Sequence, residues 1–320
     1  MGKDDWIEQF MHYLSAEKNA SSHTCRSYRA DLEQFREFLV TSGTCLSPSG
    51  DIEMEKADRM TIRKYLTYLH RKNKKVSIAR KVSTLRSFFK FLVREKKVIS
   101  NPAKNVSTPK VEKVLPSVLT VDEAFRMMEA PQAHCGSSGD PGKPMVLRDQ
   151  AILELLYSSG VRVGELVGLN WGEMDLDLGL AKVMGKGRKE RIVPVGSRAL
   201  EALAVYRDER GIISGDAPLF TNRNGGRLTA RSVDRLVKRY TRRSGVFRRV
   251  SPHTLRHTFA THLLDAGADI REIQEMLGHA SLSTTQRYTH LTLGKLMEVY
   301  DKAHPRSFKN MGREEGDNTG

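Results

Sequence analysis

The sequence has no run of about eighteen apolar residues, the length that a membrane-spanning helix requires. Its opening residues, MGKDDWIEQF, carry acidic side chains where a secretory signal has an apolar segment. Cysteine is scarce: Cys25, Cys45 and Cys135 are far apart and form neither a disulfide framework nor a CxxC motif. We therefore expect no membrane partner and a location in the reducing cytoplasm.

The sequence also lacks the usual signs of a bound metal or nucleotide. No GxxxxGKS or GxxxxGKT loop occurs, and no cluster of carboxylates suits the Mg²⁺ ions of a two-metal nuclease. His253 and His257 have the i,i+4 spacing of zinc ligands in HExxH enzymes. Thr254 stands where those enzymes have glutamate, however, and Arg256 would place a cation beside the metal. The sequence thus predicts neither a metal nor a cofactor.

Positive charge, by contrast, is abundant. The 320 residues include 53 lysines and arginines against 38 acidic residues, a formal net charge of +15. This excess favours a polyanionic partner, nucleic acid first and an anionic membrane second. A solvated surface with a positive bias is the plainer alternative, so charge alone does not decide for DNA.

The first hundred residues are predicted to form a bundle of four helices. Apolar residues recur there at helical spacing in four runs, within 6–14, 28–39, 62–69 and 78–92. We assign residues 1–100 to an all-α domain. Residues 101–119 contain three prolines and no sustained period, which indicates an interdomain linker.

The fourth helix and the residues before it are rich in cations. Between residues 71 and 97 the only acidic residue is Glu95. An amphipathic surface helix and a DNA-binding helix explain the pattern about equally well, but the scarcity of acids favours a surface that faces phosphates. The cations are Lys72, Lys74, Lys75, Arg80, Lys81, Arg86, Lys90, Arg94, Lys96 and Lys97.

From residue 120 the pattern mixes helices with a few strands. Thr120 and Glu123 form a capping box, and 131–144 is predicted to be a surface loop. The segments 180–184 and 191–195 flank GKGRKE, which predicts a β-hairpin. A helix within 228–245 would bury Val233, Leu236, Val237 and Tyr240 and expose Arg231, Arg235, Lys238, Arg239, Arg242 and Arg243. The expected fold class is mainly α with a small β component: an all-α bundle, an α+β domain over 120–306 and a disordered tail over 307–320.

The densest polar constellation lies between residues 251 and 290. His253 and Arg256 are three residues apart on a predicted helix and therefore share a face. A second helix ends at Gly278, so that His279 follows it directly, and Tyr288 comes nine residues later. Cations, hydrogen-bond donors and a hydroxyl nucleophile are what a metal-free phosphoryl transfer requires.

These motifs resemble the tyrosine recombinase (lambda-integrase) family in its bacterial and archaeal Xer branch. The family's C-terminal signature is matched by HTLRHTFATHLLDAGADIREIQEMLGHASLSTTQRYTH. SSGVRVGELVGL resembles its first arginine box, and VMGKGRKERIVPV its lysine hairpin. ARKVSTLRSFFKFLVREKKVISNP resembles its SAM-like core-binding domain, and LGKLMEVYDKAHPR is nearest to the XerC type. The resemblance runs from about residue 5 to 306.

The resemblance implies a catalytic role for six residues. Arg162, Arg256 and His279 would hold the non-bridging oxygens of the scissile phosphate. Tyr288 would attack that phosphate, giving a 3′-phosphotyrosyl link and a free 5′-hydroxyl. The remaining two would move protons: His253 would accept the phenolic proton, and Lys186 would protonate the leaving oxygen.

Other charged residues near these motifs are expected to have supporting roles. Glu165, one turn after Arg162, would orient the basic groups. Three cations of the hairpin would contact the DNA backbone or be solvated: Arg188, Lys189 and Arg191.

The resemblance further implies a tetramer on double-stranded DNA sites with inverted half-sites. A paralogous Xer recombinase and a division-linked DNA translocase are possible partners, and the function would be resolving chromosome or plasmid dimers at cell division. Apolar residues within 291–300 would form a helix that docks on a neighbouring protomer.

Other functions remain open at this point. A phage or mobile-element integrase and a type IB topoisomerase share the chemistry; the lack of an added N-terminal arm-binding domain argues against a lambda-like integrase. A catalytically silent DNA-binding protein is the alternative from another class, and the presence of all six polar positions argues against it.

Overall fold

The computed structural model describes residues 5–109, 117–134, 143–185, 190–211, 214–278 and 304–305. The chain divides into two compact units, Met1–Val114 and Leu115–Gly320, and each has its own hydrophobic core. None of the described helices is long and apolar enough to cross a membrane. Cys25 and Cys45 are free thiols, and Cys135 lies outside the described residues.

The first unit is built from four helices, α1 (Trp6–Ala16), α2 (Ser22–Thr41), α3 (Arg59–Lys72) and α4 (Lys75–Arg94). Asp5, Ser21 and Asp58 cap the first three, because each side chain accepts hydrogen bonds from backbone N–H groups of the first turn. The core between the helices is rich in aromatic side chains, among them Phe10, Phe35, Tyr65, Phe88 and Phe89. The four predicted helices are confirmed.

A buried carboxylate joins α2 to α4. Asp31 accepts hydrogen bonds from Arg80, from Nζ of Lys81 at 2.8 Å and from Oγ1 of Thr84 at 3.0 Å. Asp31 and Lys81 are 3% and 8% exposed. The pair therefore forms an internal contact of the bundle, in which each charge compensates the burial of the other.

The residues after α4 pack back onto the first unit. Arg86 on α4 donates hydrogen bonds to the carbonyl oxygens of Ala103 at 3.1 Å and Val106 at 2.6 Å. Both of these residues are buried in the first core. The beginning of the segment predicted as a linker is thus a packed extension of the bundle.

The second unit contains seven helices among its described residues: α5 (Val121–Glu129), α6 (Lys143–Ser159), α7 (Val163–Gly168), α8 (Ser197–Arg210), α9 (Ala230–Arg243), α10 (Pro252–Asp265) and α11 (Ile270–Leu277). The predicted capping box of Thr120 and Glu123 starts α5. The loop expected over 131–144 is shorter, because Gln132–His134 forms a 3-10 turn and Lys143 begins α6; residues 135–142 lie outside the described chain. Helix α6 is buried from Asp149 to its end and packs against α8 and α10.

Three short strands form an antiparallel sheet in the order β1 (Met174–Asp175), β2 (Leu180–Met184) and β3 (Glu190–Pro194). In the register of β2 and β3, Val183 pairs with Arg191 and Ala181 with Val193. These four side chains are buried, whereas Lys182 and Met184, which alternate with them along β2, are exposed. The predicted hairpin is confirmed, and so is the fold class, mainly α with a small β component.

Candidate active site

A tight turn between α6 and α7 positions Arg162. Gly160 has a φ of +58°, and a Cβ atom there would lie 2.4 Å from Cδ1 of Phe259, so only glycine fits. Arg162 is the N-cap residue of α7, and its backbone N–H donates to Oε2 of Glu165 at 2.8 Å. The turn directs the side chain of Arg162 towards Gly278, to whose carbonyl oxygen Nη2 donates at 3.2 Å.

Arg256 reaches the same place from α10. Its side chain is buried and donates from Nη1 to the Gly160 carbonyl oxygen at 2.6 Å and from Nη2 to the Leu277 carbonyl oxygen at 2.5 Å. Burial and the charge of Arg162 lower the pKa of Arg256 to about 10, so it remains protonated at neutral pH. Within the described chain no carboxylate forms an ion pair with Arg256. A buried cation with only carbonyl partners is stabilised strongly when an anion binds beside it.

Three arginines meet at the C-terminal end of α11. Arg191, Arg256 and Arg162 donate, in that order, to the carbonyl oxygens of residues 276–278, at 3.2, 2.5 and 3.2 Å. These carbonyls carry the partial negative charge of the helix end and have no partners within the helix. Gly278 ends the helix in the left-handed conformation, with φ +64°. Three guanidiniums therefore fix the backbone at the C-terminal end of α11.

Glu165 is the acid of this cluster. Its Oε1 accepts from Nη1 of Arg162 at 2.8 Å and from Nη1 of Arg191 at 2.7 Å, and its Oε2 accepts from Nη2 of Arg191 at 2.8 Å. Burial raises the pKa of Glu165, but the hydrogen bonds from Arg191 and from the Arg162 backbone outweigh it and lower the pKa to about 2. Three guanidiniums against one carboxylate leave a net charge of +2, which suits a bound phosphate.

Arg191, expected to contact the DNA backbone or solvent, is instead buried. Its side chain is 8% exposed and forms a two-pronged ion pair with Glu165. The alternation of β3 indicates this position, because Arg191 lies on the same face as Val193, which is fully buried. The many cations of the neighbouring hairpin residues obscure that signal in the sequence.

Two of the six predicted site residues, Arg162 and Arg256, lie side by side in the structure. His253 lies one turn before Arg256 on α10 with its side chain exposed. The other three fall outside the described residues: Lys186, His279 and Tyr288. The helix predicted within 291–300 falls outside them as well.

Two buried histidines of the second unit contact Tyr157. His262 on α10 shares a hydrogen bond of 2.8 Å between its Nδ1 and the Tyr157 hydroxyl, and its Nε2 lies 2.9 Å from the Leu119 carbonyl oxygen. Burial lowers the pKa of His262. His304 of the AHPR motif is fully buried, with ring centroids of Tyr157 and Phe259 at 5.1 and 5.7 Å. His304 is therefore packed in the interior of its own unit.

The two helices predicted to be basic differ in the structure. The apolar residues predicted to face inward from α9 are buried. Its outer side carries six exposed cations: Arg231, Arg235, Lys238, Arg239, Arg242 and Arg243. On α4, Lys81 and Arg86 form the internal contacts described above, and Arg94 pairs with Glu17 at 2.7 Å. Fewer cations of α4 are thus unpaired on its surface than its cation count predicts.

Two family profiles match the chain. The N-terminal SAM-like domain of phage integrases matches residues 7–96, and the phage integrase family matches residues 117–294. The chain belongs to the phage integrase family. Over 95% of its length it is 46% identical to tyrosine recombinase XerC of Syntrophus aciditrophicus (strain SB), 98% of which is covered. The protein is an XerC-type tyrosine recombinase, a site-specific DNA recombinase.

Two solved structures share this fold. A post-cleavage complex of XerH site-specific recombinase with palindromic difH substrate has a TM-score of 0.67 at 23% identity, covering 91% of this chain and 83% of that one. A lambda integrase tetramer bound to a Holliday junction has a TM-score of 0.65 at 21% identity, covering 89% and 79%. At these identities the likeness establishes the fold.

Proposed function

We propose that this recombinase cuts DNA by attack of Tyr288 on a phosphodiester that Arg162, Arg256 and His279 hold. The observation that carries the proposal is the pair of guanidiniums at the end of α11, one of which is buried without a carboxylate partner among the described residues. Planar guanidiniums match the geometry of phosphate oxygens and hold two of them at once. His279 directly follows Gly278, the last residue that the cluster contacts, in the sequence, which supports its assignment to the same site.

The reaction exchanges one phosphodiester for another. The phenolic oxygen of Tyr288 forms a bond to phosphorus while the bond to the 5′-oxygen breaks, which leaves a 3′-phosphotyrosine and a 5′-hydroxyl. Because a phenol has an ordinary pKa of about 10, His253 accepts its proton and Lys186 donates one to the leaving oxygen. Arg162 and Arg256 oppose the negative charge that grows in the transition state. Rejoining reverses these steps, so neither a nucleotide nor a cofactor is consumed.

The partner is double-stranded DNA with inverted half-sites, and four protomers act on two such sites. This assembly is supported by the solved lambda integrase tetramer on a Holliday junction and by the complex of XerH with difH. The net charge of +15 and the exposed cations of α9 provide contacts for DNA phosphates. A paralogous Xer recombinase and a division-linked DNA translocase complete the proposed set of partners.

The cellular role that we assign is the resolution of chromosome or plasmid dimers at cell division, in the cytoplasm where the chromosome lies. The similarity to an XerC protein along nearly the whole chain supports this role. An integrase of a phage or mobile element would use the same chemistry on a different DNA target.

The domain assignment follows the same proposal. Residues 1–100 are the core-binding domain, 101–119 the linker, whose first residues pack on that domain, and 120–306 the catalytic domain. The tail predicted over 307–320 lies outside the described residues. The division of the chain after Val114 and the family matches over 7–96 and 117–294 support an N-terminal and a C-terminal domain in this order. In this proposal, the helix predicted within 291–300 docks on a neighbouring protomer and so connects the active sites of the two protomers.

The substitution Tyr288→Phe tests the proposal. It removes the nucleophilic oxygen and keeps the ring, so DNA binding should be retained and the covalent protein–DNA complex should disappear. A nicked duplex from the protein's own genome traps that complex, which denaturing electrophoresis then detects. A covalent 3′-linked complex formed by the Phe variant would show that Tyr288 is not the nucleophile.

A further inference from the structure

Arg191 links three parts of the second unit, β3, α7 and the end of α11, that adjoin predicted site residues in the sequence. From the second position of β3 it holds both oxygens of Glu165 on α7, at 2.7 and 2.8 Å. Its Nε donates to the Met276 carbonyl oxygen at the end of α11, at 3.2 Å. The fit is close, because a Cβ atom on Gly278 would lie 2.9 Å from Cδ of Arg191. The side chain is therefore fixed on several sides and has little contact with solvent.

We propose that Arg191 is a positioning residue for Arg162: by holding both oxygens of Glu165, it limits the Arg162 guanidinium to one of them and leaves its remaining donors for the scissile phosphate. It does not contact DNA itself. The inference rests on the proposed role of Arg162 and adds to it the group that maintains its charge and orientation.

The hydrogen bonds around Glu165 support these different roles of Arg191 and Arg162. Arg191 takes both carboxylate oxygens, whereas the guanidinium of Arg162 takes only Oε1. Arg162 uses one more N–H on Gly278 and is 36% exposed, so donors remain on a guanidinium that reaches the surface. Arg191 therefore compensates the acid in the interior, while Arg162 presents the accessible charge.

Removing Arg191 would change the partner of the carboxylate. A buried carboxylate that loses two charged hydrogen bonds must find another cation or take up a proton. The nearest cation that already contacts Glu165 is Arg162. A two-pronged pair between them would draw Arg162 away from the Gly278 carbonyl and cancel its charge at the phosphate.

Arg191 also fixes the base of the β-hairpin. It follows Glu190, the first residue of β3, and Lys186 precedes that strand in the sequence. The contact of Arg191 with α11 therefore fixes the beginning of β3, the strand that follows Lys186 in the sequence. Loss of Arg191 should affect the protonation of the leaving oxygen as well as the binding of the phosphate.

The test is the rate of covalent complex formation by Arg191→Met on a nicked duplex on which the wild-type protein forms its adduct. At saturating protein we expect the rate to fall roughly 10- to 100-fold, the range seen when a group that orients a functional side chain is lost. The affinity for DNA should stay close to that of the wild type, because the buried side chain does not reach the DNA. Arg148→Met is the matched control: it removes another arginine with little solvent exposure (side chain 11% exposed), paired with Asp149 at 2.5 Å, and should leave the cleavage rate unchanged.

The double variant Glu165→Gln/Arg191→Met separates positioning from a general loss of packing. Without the carboxylate, nothing captures Arg162, so the double variant should cleave faster than Arg191→Met alone. Arg191→Lys keeps the charge but not the two-pronged geometry and should lie between Arg191→Met and the wild type. Arg191→Lys also keeps the test decisive if Arg191→Met folds poorly, because it retains a cation beside Glu165.

The pH dependence provides a second readout. In Arg191→Met, protonation of Glu165 releases Arg162, so the ratio of wild-type to variant rates should shrink as the pH falls. A packing defect would leave that ratio constant. A wild-type rate for Arg191→Met, or a double variant no faster than Arg191→Met, would overturn the inference. Absence of any adduct with the wild-type protein would instead refute the proposed function.

Discussion

Asp31 in the first unit and Glu165 in the second are both buried carboxylates that accept hydrogen bonds from two basic side chains. The cations of Asp31, Arg80 and Lys81, are neighbours on α4, and their contact joins two helices of a bundle. The cations of Glu165 come from different elements, α7 and β3, and a third guanidinium lies beside them without an acid of its own among the described residues.

The two clusters differ in where the excess positive charge is located. At Asp31 the buried lysine is matched by the buried acid, and Arg80 extends to the exposed surface. At Glu165 the surplus includes a buried guanidinium, Arg256, whose described partners are carbonyl oxygens. The same elementary interaction thus stabilises a fold in one unit and arranges charge for an anion in the other.

Arg256→Ala should give the largest effect of this comparison. It removes a preorganised donor from the phosphate site, so covalent complex formation should fall by roughly 10²- to 10³-fold or more. DNA binding, which many surface cations share, should largely remain. Arg207→Ala, an exposed arginine on α8, serves as the control in single-turnover cleavage assays. A variant that cleaves at nearly the control rate would remove Arg256 from the site.

Asp31→Ala should destabilise the protein by about 3–5 kcal/mol, because it leaves Lys81 buried without its partner. The matched control is Glu33→Ala on the same helix, which breaks a partly exposed pair with Arg36 and should cost about 0–1 kcal/mol. Urea denaturation of both variants measures the difference. Equal losses would mean that the Asp31 contact is no more than a surface ion pair.

The acid sensitivity of the second unit should depend on Glu165. Its pKa in the folded protein, about 2, lies below the ordinary value of 4.5. Its stabilising contribution, on the order of 3 kcal/mol, is therefore present above about pH 4.5 and is lost as the pH falls through 2. The unfolding free energy of Glu165→Gln, followed across this range, should lack that component. If wild type and variant lose stability in parallel, the carboxylate is not held by its arginines.

The smallest effect concerns the two basic helices. Arg235→Ala on α9 should reduce the slope of log affinity against log salt by about 1, because it removes one phosphate contact. Arg86→Met on α4 should leave the slope unchanged, because that guanidinium is held by two backbone carbonyls. Gel-shift titrations at several salt concentrations provide the comparison. A reduced slope for Arg86→Met would show that Arg86 contacts a DNA phosphate.

Most of the fold could be predicted from the sequence, because its signals are local. Apolar spacing located the four helices of the first unit, and the pairing of Thr120 with Glu123 located the start of α5. Gly278 and Pro252 marked the ends of helices for simple backbone reasons. The family motifs predicted that Arg162 and Arg256 lie in one site, and the structure places their side chains together.

Which cations are buried and which are exposed could not be predicted in the same way. Lys81 and Arg191 stand in basic stretches, yet each is buried on a carboxylate that is 50 or 26 residues away in the chain. Counting charges does not identify such partners, because the pairing depends on tertiary packing. The alternation of β3 was the one local signal for Arg191.

The most direct test of the account is to map the residue that becomes joined to DNA. The wild-type protein is incubated with a nicked duplex, the adduct is digested, and mass spectrometry identifies the peptide that retains a nucleotide. We predict attachment at Tyr288 through a 3′-phosphate, and loss of the adduct in Arg256→Ala. Attachment at another residue, or full adduct formation without Arg256, would contradict the proposed site.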